Sequence, residues 1–85
     1  MTYVRERYHP KPMTANSSAI IKGVHMGGFA AKTNGTITVT DNDGTVLVDA
    51  HPVTAGIYMP LPFIFSSSEG ATVTLAGGAS GTLAV

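Results

Sequence analysis

Apolar and polar residues alternate strictly from Thr36 to Thr40, with Ile37 and Val39 on one face and three threonines on the other. A two-residue period is that of a strand with one buried face. Asp41-Asn42-Asp43-Gly44 follows as turn chemistry, with Gly44 free to take the left-handed conformation. Thr45–Asp49 is then predicted to return antiparallel, with Val46 and Val48 toward the core. Leu47 falls on the opposite face, which marks that face as partly covered. A second hairpin is predicted at the C-terminal end. There Ala71, Val73 and Leu75 alternate with threonines, Ala76-Gly77-Gly78-Ala79-Ser80 forms the loop, and Gly81, Leu83 and Val85 return.

Between these units, Ile57–Phe65 holds Tyr58, Phe63 and Phe65 but also Pro60 and Pro62. Proline donates no backbone hydrogen bond, so this segment is expected at a sheet edge or kinked. Ala19–His25 and Gly28–Ala31 read as shorter strands joined through Gly27-Gly28. Residues 1–18 read as an extended arm in which Tyr3–Tyr8 has strand character and Pro10, Pro12 and Asn16-Ser17-Ser18 break it. The expected fold is all-β: a small antiparallel β-sandwich or jelly-roll-like barrel of about seven short strands. Its organisation is an extended N-terminal arm (1–18) and a single β domain (19–85).

Composition supports this. Thr, Val and Ile make up 24 of 85 residues, against 15 for Leu, Lys, Arg, Glu, Gln and Met together. β-branched side chains suit a pleated surface and lose rotamer freedom in a helix. Ten Gly and five Pro interrupt every window long enough for a helix. The chain has no Cys, which excludes a disulfide framework, a cysteine zinc site and a cysteine nucleophile. No secretory h-region opens the sequence, and the longest apolar stretch, nine residues, is far short of the ~20 that span a bilayer. No membrane partner is expected. A core this small gains from association, and a formal net charge of zero does little to keep copies apart. A homo-oligomer is expected on both grounds.

The zero is segregated. Arg5, Arg7, Lys11, Lys22 and Lys32 all lie in the first 32 residues, where Glu6 is the sole acid, giving +4. Asp41, Asp43, Asp49 and Glu69 give −4 to the rest. Tyr3, Arg5, Arg7, Tyr8 and Lys11 form a candidate contact arm, since Tyr and Arg are enriched at interface hot spots. So few cations would neutralise few phosphates, so no nucleic-acid partner is expected. Tyr58, Leu61, Phe63 and Phe65 form a candidate interface patch whose alternative is ordinary core packing.

Candidate chemistry is sparse. His9, His25 and His51 lie in separate segments without ligand spacing. Asp41-Asn42-Asp43-Gly44 lacks the third ligand and the distal Glu of a calcium loop. Ser66-Ser67-Ser68-Glu69-Gly70 has no nucleophile-elbow pattern. Neither Gly27-Gly28 nor Gly77-Gly78 has the spacing of a phosphate loop. No catalytic residue, metal or cofactor is expected, and the protein is read as a non-enzyme.

Taken together, Gly27-Gly28-Phe29, Gly35–Val39, Pro52-Val53-Thr54-Ala55-Gly56-Ile57-Tyr58, Pro60-Leu61-Pro62-Phe63 and Gly70–Gly78 with Gly81-Thr82 resemble small virion structural proteins of tailed bacteriophages. The resemblance covers roughly residues 20–85 and is greatest to capsid decoration, or cement, proteins. It implies a compact β domain on the capsid exterior that binds the major capsid protein or another virion protein, often as a dimer or trimer. It also implies a virion location after assembly in the host cytoplasm. The alternative is a β-sandwich binding module, such as a tail-fibre or carbohydrate-binding piece.

Overall fold

The computed structural model describes residues 9–85. Their eight strands are β1 (Pro10–Met13), β2 (Ser18–Ile21), β3 (Gly28–Thr33), β4 (Gly35–Asp41), β5 (Val46–Val53), β6 (Tyr58–Pro60), β7 (Ala71–Ala76) and β8 (Ser80–Ala84). Two four-stranded antiparallel sheets result. Sheet A has the order β1-β8-β3-β6 and sheet B the order β2-β7-β4-β5. The pairs β1–β8, β2–β7, β3–β6 and β4–β5 nest inside one another around the turn at residues 42–44. The chain is thus one long hairpin rolled up so that β8 also meets β3 and β7 also meets β4. This is the strand order of an eight-stranded jelly roll, a double-sheet sandwich of two Greek keys.

The pattern of apolar residues explains the packing. Ile37 and Val39 of β4, Val73 and Leu75 of β7, and Phe29 and Leu83 of sheet A are almost completely buried between the sheets. Met26 and Ala79, in connections rather than strands, plug the same core. Of the two predicted hairpins, the central one forms within sheet B. Its loop closes with the Gly44 amide donating to the Asp41 carbonyl at 2.9 Å, and Gly44 adopts φ 93°. That is a three-residue loop ending in a left-handed glycine.

Four expectations are corrected. First, β7 and β8 do not pair; each goes to a different sheet, and Ala76–Ala79 is a crossover between them. Alternation specifies which face of a strand is buried and leaves open which strand lies beside it. Second, Val46 is 53% exposed rather than core, while Leu47 packs against the core. The β4–β5 register shifts twice, between Ile37 and Val39 and between Val39 and Thr40, and Ala50 takes φ 46°. Each bulge moves the following side chains to the other face. Third, the proposed arm does not extend to residue 18. Pro10–Met13 is an edge strand paired with β8, buried Met13 included, and β2 begins at Ser18. Fourth, the shorter strand predicted over Ala19–His25 stops at Ile21, and His25 makes only an isolated bridge with Ile64.

Polar side chains tie the connections together at each end of the sandwich. At one end Asn16 Oδ1 accepts the Gly78 amide at 2.8 Å, and Thr33 Oγ1 donates to the Gly78 carbonyl at 2.6 Å. Asn34 Oδ1 accepts the Ala55 amide there at 2.7 Å. At the other end Asp41 and Asn42 hold the segment that follows β6. The Ser66 amide donates to Asp41 Oδ2 at 3.2 Å, and Asn42 Nδ2 donates to the Gly70 carbonyl at 2.8 Å.

Candidate functional site

Strand register lays out the exposed face of sheet A. One row across all four strands is Pro12, Thr82, Ala30 and Tyr58; the next is Pro10, Ala84, Gly28 and Pro60. Opposed residues in an antiparallel pair share a face, so these eight project together. None is charged, and all but Tyr58 are small or cyclic. The next exposed residue along β3 is Lys32, which bounds the face. An open groove of about 450 Å³ runs along this face past Pro12, Ala30, Lys32, Ser80 and Thr82. A shallower depression of about 200 Å³ lies beside it, walled by His9, Pro10, Tyr58, Thr82 and Ala84.

The residues singled out in the sequence separate on this frame. Tyr58 is 52% exposed on the outer face, with its phenol lying over Gly28. Leu61 and Phe65 are buried in the core, and Phe63 packs against it partly buried. The four do not form one surface patch. β6 ends at Pro60, and the chain then turns inward to cap the sandwich before reaching β7. Lys11 sits in β1 opposite Leu83, on the core-facing side of sheet A, and is half-buried. Tyr3, Arg5, Arg7 and Tyr8 lie outside the described residues. The outer residues Ala30, Thr82 and Ala84 were not legible as a site, because small side chains carry no chemical signal until register places them side by side.

Among the described residues no metal-binding set of side chains converges elsewhere: no group of three His, Asp or Glu is placed to hold a metal ion. His9 and His51 are exposed, and His51 Nδ1 lies 2.8 Å from its neighbour's carbonyl at Pro52. Asp41 is 9% exposed and accepts from the Asn42 amide (2.7 Å), Asn42 Nδ2 (2.9 Å) and the Ser66 amide, so its oxygens are occupied by structural bonds. Lys22 and Glu69 form a solvent-exposed ion pair at 3.2 Å. Asp43 accepts the Thr45 amide at 2.9 Å, and hydrogen bonding from Thr45 holds its carboxyl below the usual aspartate value. Asp41 and Asp43 close turns, whereas Lys22, Asn42 and Glu69 line an open depression of about 190 Å³ together with Ile20, Ala71 and Thr72.

No protein family, no curated protein and no solved structure matches this chain.

Proposed function

We propose that this protein is a non-enzymatic virion structural protein, a capsid decoration protein that binds the major capsid protein and stabilises the shell. The observation that carries this reading is the outer face of sheet A, two full rows of small, uncharged residues with one exposed tyrosine. A grooved face built mainly of small side chains lets another protein surface approach closely, with little side-chain entropy to lose. Tyr58 supplies a rigid aromatic anchor of the kind that dominates interface energetics. The jelly-roll strand order is compatible with the role: viral capsid domains use it, as do lectins, and this support is by analogy of fold alone.

Co-sedimentation with capsids assembled without the protein tests the reading. Wild type is expected to bind at a fixed copy number per shell, and Ala30→Arg or Thr82→Arg to abolish binding while the β fold persists. Absence of wild-type binding to capsids sinks the proposal. The second reading, a carbohydrate-binding module, draws on Tyr58 beside the 200 Å³ depression. Selective binding on a glycan array, lost on Tyr58→Ala, would put it in first place.

A further inference from the structure

Four of the five prolines lie in strands at sheet edges: Pro10 and Pro12 in β1, Pro52 in β5, and Pro60 in β6. Their positions follow the hydrogen-bond alternation. His9 and Val85 exchange both backbone bonds, at 2.9 and 3.0 Å. Alternate residues of β1 therefore point their amides away from β8, and those residues are Pro10 and Pro12, which have none. On β6 the bonds from the Ala31 amide to the Ile57 carbonyl and from the Leu61 amide to the Gly27 carbonyl leave Tyr58 and Pro60 facing outward. Only Tyr58 there has a donor to offer. The β5 edge is broken by two bulges as well as Pro52. Prolines and bulges of this kind stop an edge from accepting another strand.

The edge of β2 differs. The Leu75 amide donates to the Ser17 carbonyl at 2.8 Å, so by alternation Ala19 and Ile21 bond to β7 while Ser18 and Ile20 direct donor and acceptor groups outward. This edge has no proline and no charged residue between Thr14 and Ile21, and Ile20 is 63% exposed. Among the described residues it is the one sheet edge left competent to pair.

We propose that β2 pairs with β2 of a second copy, antiparallel about a two-fold axis through Ala19, joining two B sheets into one eight-stranded sheet. The register is self-complementary. Ser18 of each copy exchanges two backbone bonds with Ile20 of the other, and each exposed Ile20 is covered by its neighbour. Charge favours a second copy. Lys22, next to the edge, is neutralised by Glu69 and falls opposite Asn16 of the other copy, not opposite another cation. An edge pairing this short buries less than the roughly 1,200–2,000 Å² of a standard stable interface. The dimer is accordingly weak and concentration-dependent. Dimerisation through β2 and docking through sheet A use different surfaces, so either can fail without the other.

Sedimentation equilibrium of the full chain up to millimolar concentration tests this, with circular dichroism to confirm folding. Wild type is expected to show a reversible monomer–dimer equilibrium. Ile20→Pro, which removes an outward amide as Pro10 and Pro60 do, is expected to weaken it at least about tenfold. Ile20→Lys places like charges at the edge and gives the same result if the proline variant fails to fold. The chain has no cysteine, so Ala19→Cys reads the register directly. Two such residues on the axis sit about 4.5 Å apart at Cα and within disulfide reach, and cross-linking is expected at Ala19→Cys in preference to Ser18→Cys. A wild type monomeric at millimolar concentration overturns the proposal. So does a dimer insensitive to both Ile20 substitutions, or cross-linking that favours position 18.

Discussion

The phenol of Tyr58 occupies the space above Gly28 where a side chain would begin. A Cβ added at Gly28 would lie 2.6 Å from Tyr58 Cζ and 2.5 Å from the Met59 carbonyl oxygen. The ring from the edge strand thus covers the glycine of the neighbouring strand, a pairing that compensates for the packing a glycine forgoes. Gly28→Ala is expected to destabilise the fold by about 1–3 kcal/mol, the usual cost of overpacking. Tyr58→Ala in that background should recover only part of the loss, because the Met59 carbonyl stays in the way. Urea denaturation of the two single variants and the double variant measures the coupling.

Asp41 closes the other end of the sandwich. Its carboxylate gathers the Asn42 amide and side chain and the Ser66 amide, and so fixes the middle of the long β6–β7 connection to the end of β4. Asp41→Ala leaves the part-buried donors of Asn42 and Ser66 without this acceptor. The expected loss is about 2–4 kcal/mol, since hydrogen bonds to charged groups contribute roughly 1.5–3 kcal/mol each and are not additive. Asp41→Asn keeps one acceptor oxygen and should lose less. Thermal and chemical denaturation rank the two, and equal losses would argue against the carboxylate as the organising group.

Val46 and Ile37 separate what alternation predicts from what register decides. Both are apolar residues of the central hairpin, yet Ile37 is fully buried and Val46 is more than half exposed. Val46→Lys is expected to change stability by no more than about 0.5 kcal/mol. Ile37→Ala is expected to cost about 2–5 kcal/mol through lost burial and the cavity it leaves. A large loss for Val46→Lys in urea titrations would show that the strand packs as its sequence pattern alone implies.

The legible part of the fold was the part governed by local chemistry. Thr-Ile-Thr-Val-Thr declares one buried face, Asp-Asn-Asp-Gly declares a turn, and Pro60 declares an edge. Three things depended on long-range pairing instead. The separation of β7 from β8 turns on Ala79 entering the core and on Asn16 and Thr33 holding Gly78 from distant connections. Pro10–Met13 reads as a linker because its prolines suit one as well as they suit an edge strand. The outer face of sheet A is invisible in the sequence because its residues come from four strands more than seventy positions apart at the extremes. Among the described aromatic residues Phe29 and Phe65 are buried and Phe63 packs against the core, which leaves Tyr58 alone on the outer face.

Asp43 gives the hairpin turn a pH dependence whose sign is fixed by its hydrogen bonds. The Thr45 backbone amide, then the Thr45 side chain, favour the ionised carboxylate and lower the folded-state pKa below the ordinary aspartate value. A carboxyl lowered on folding adds stability above its unfolded pKa, and that contribution is lost as pH falls through the folded value. The turn should therefore hold its geometry at neutral pH and loosen only under acid conditions below the ordinary aspartate range. Asp43 is fully exposed, so solvent screens the effect and it is best read locally. An NMR titration of the Asp43 carboxyl carbon is expected to show a midpoint below the ordinary aspartate range. The Thr45 amide should shift with the same midpoint, and Asp43→Asn should abolish that shift. A Thr45 amide that ignores the titration would mean that the carboxylate does not hold the turn in solution.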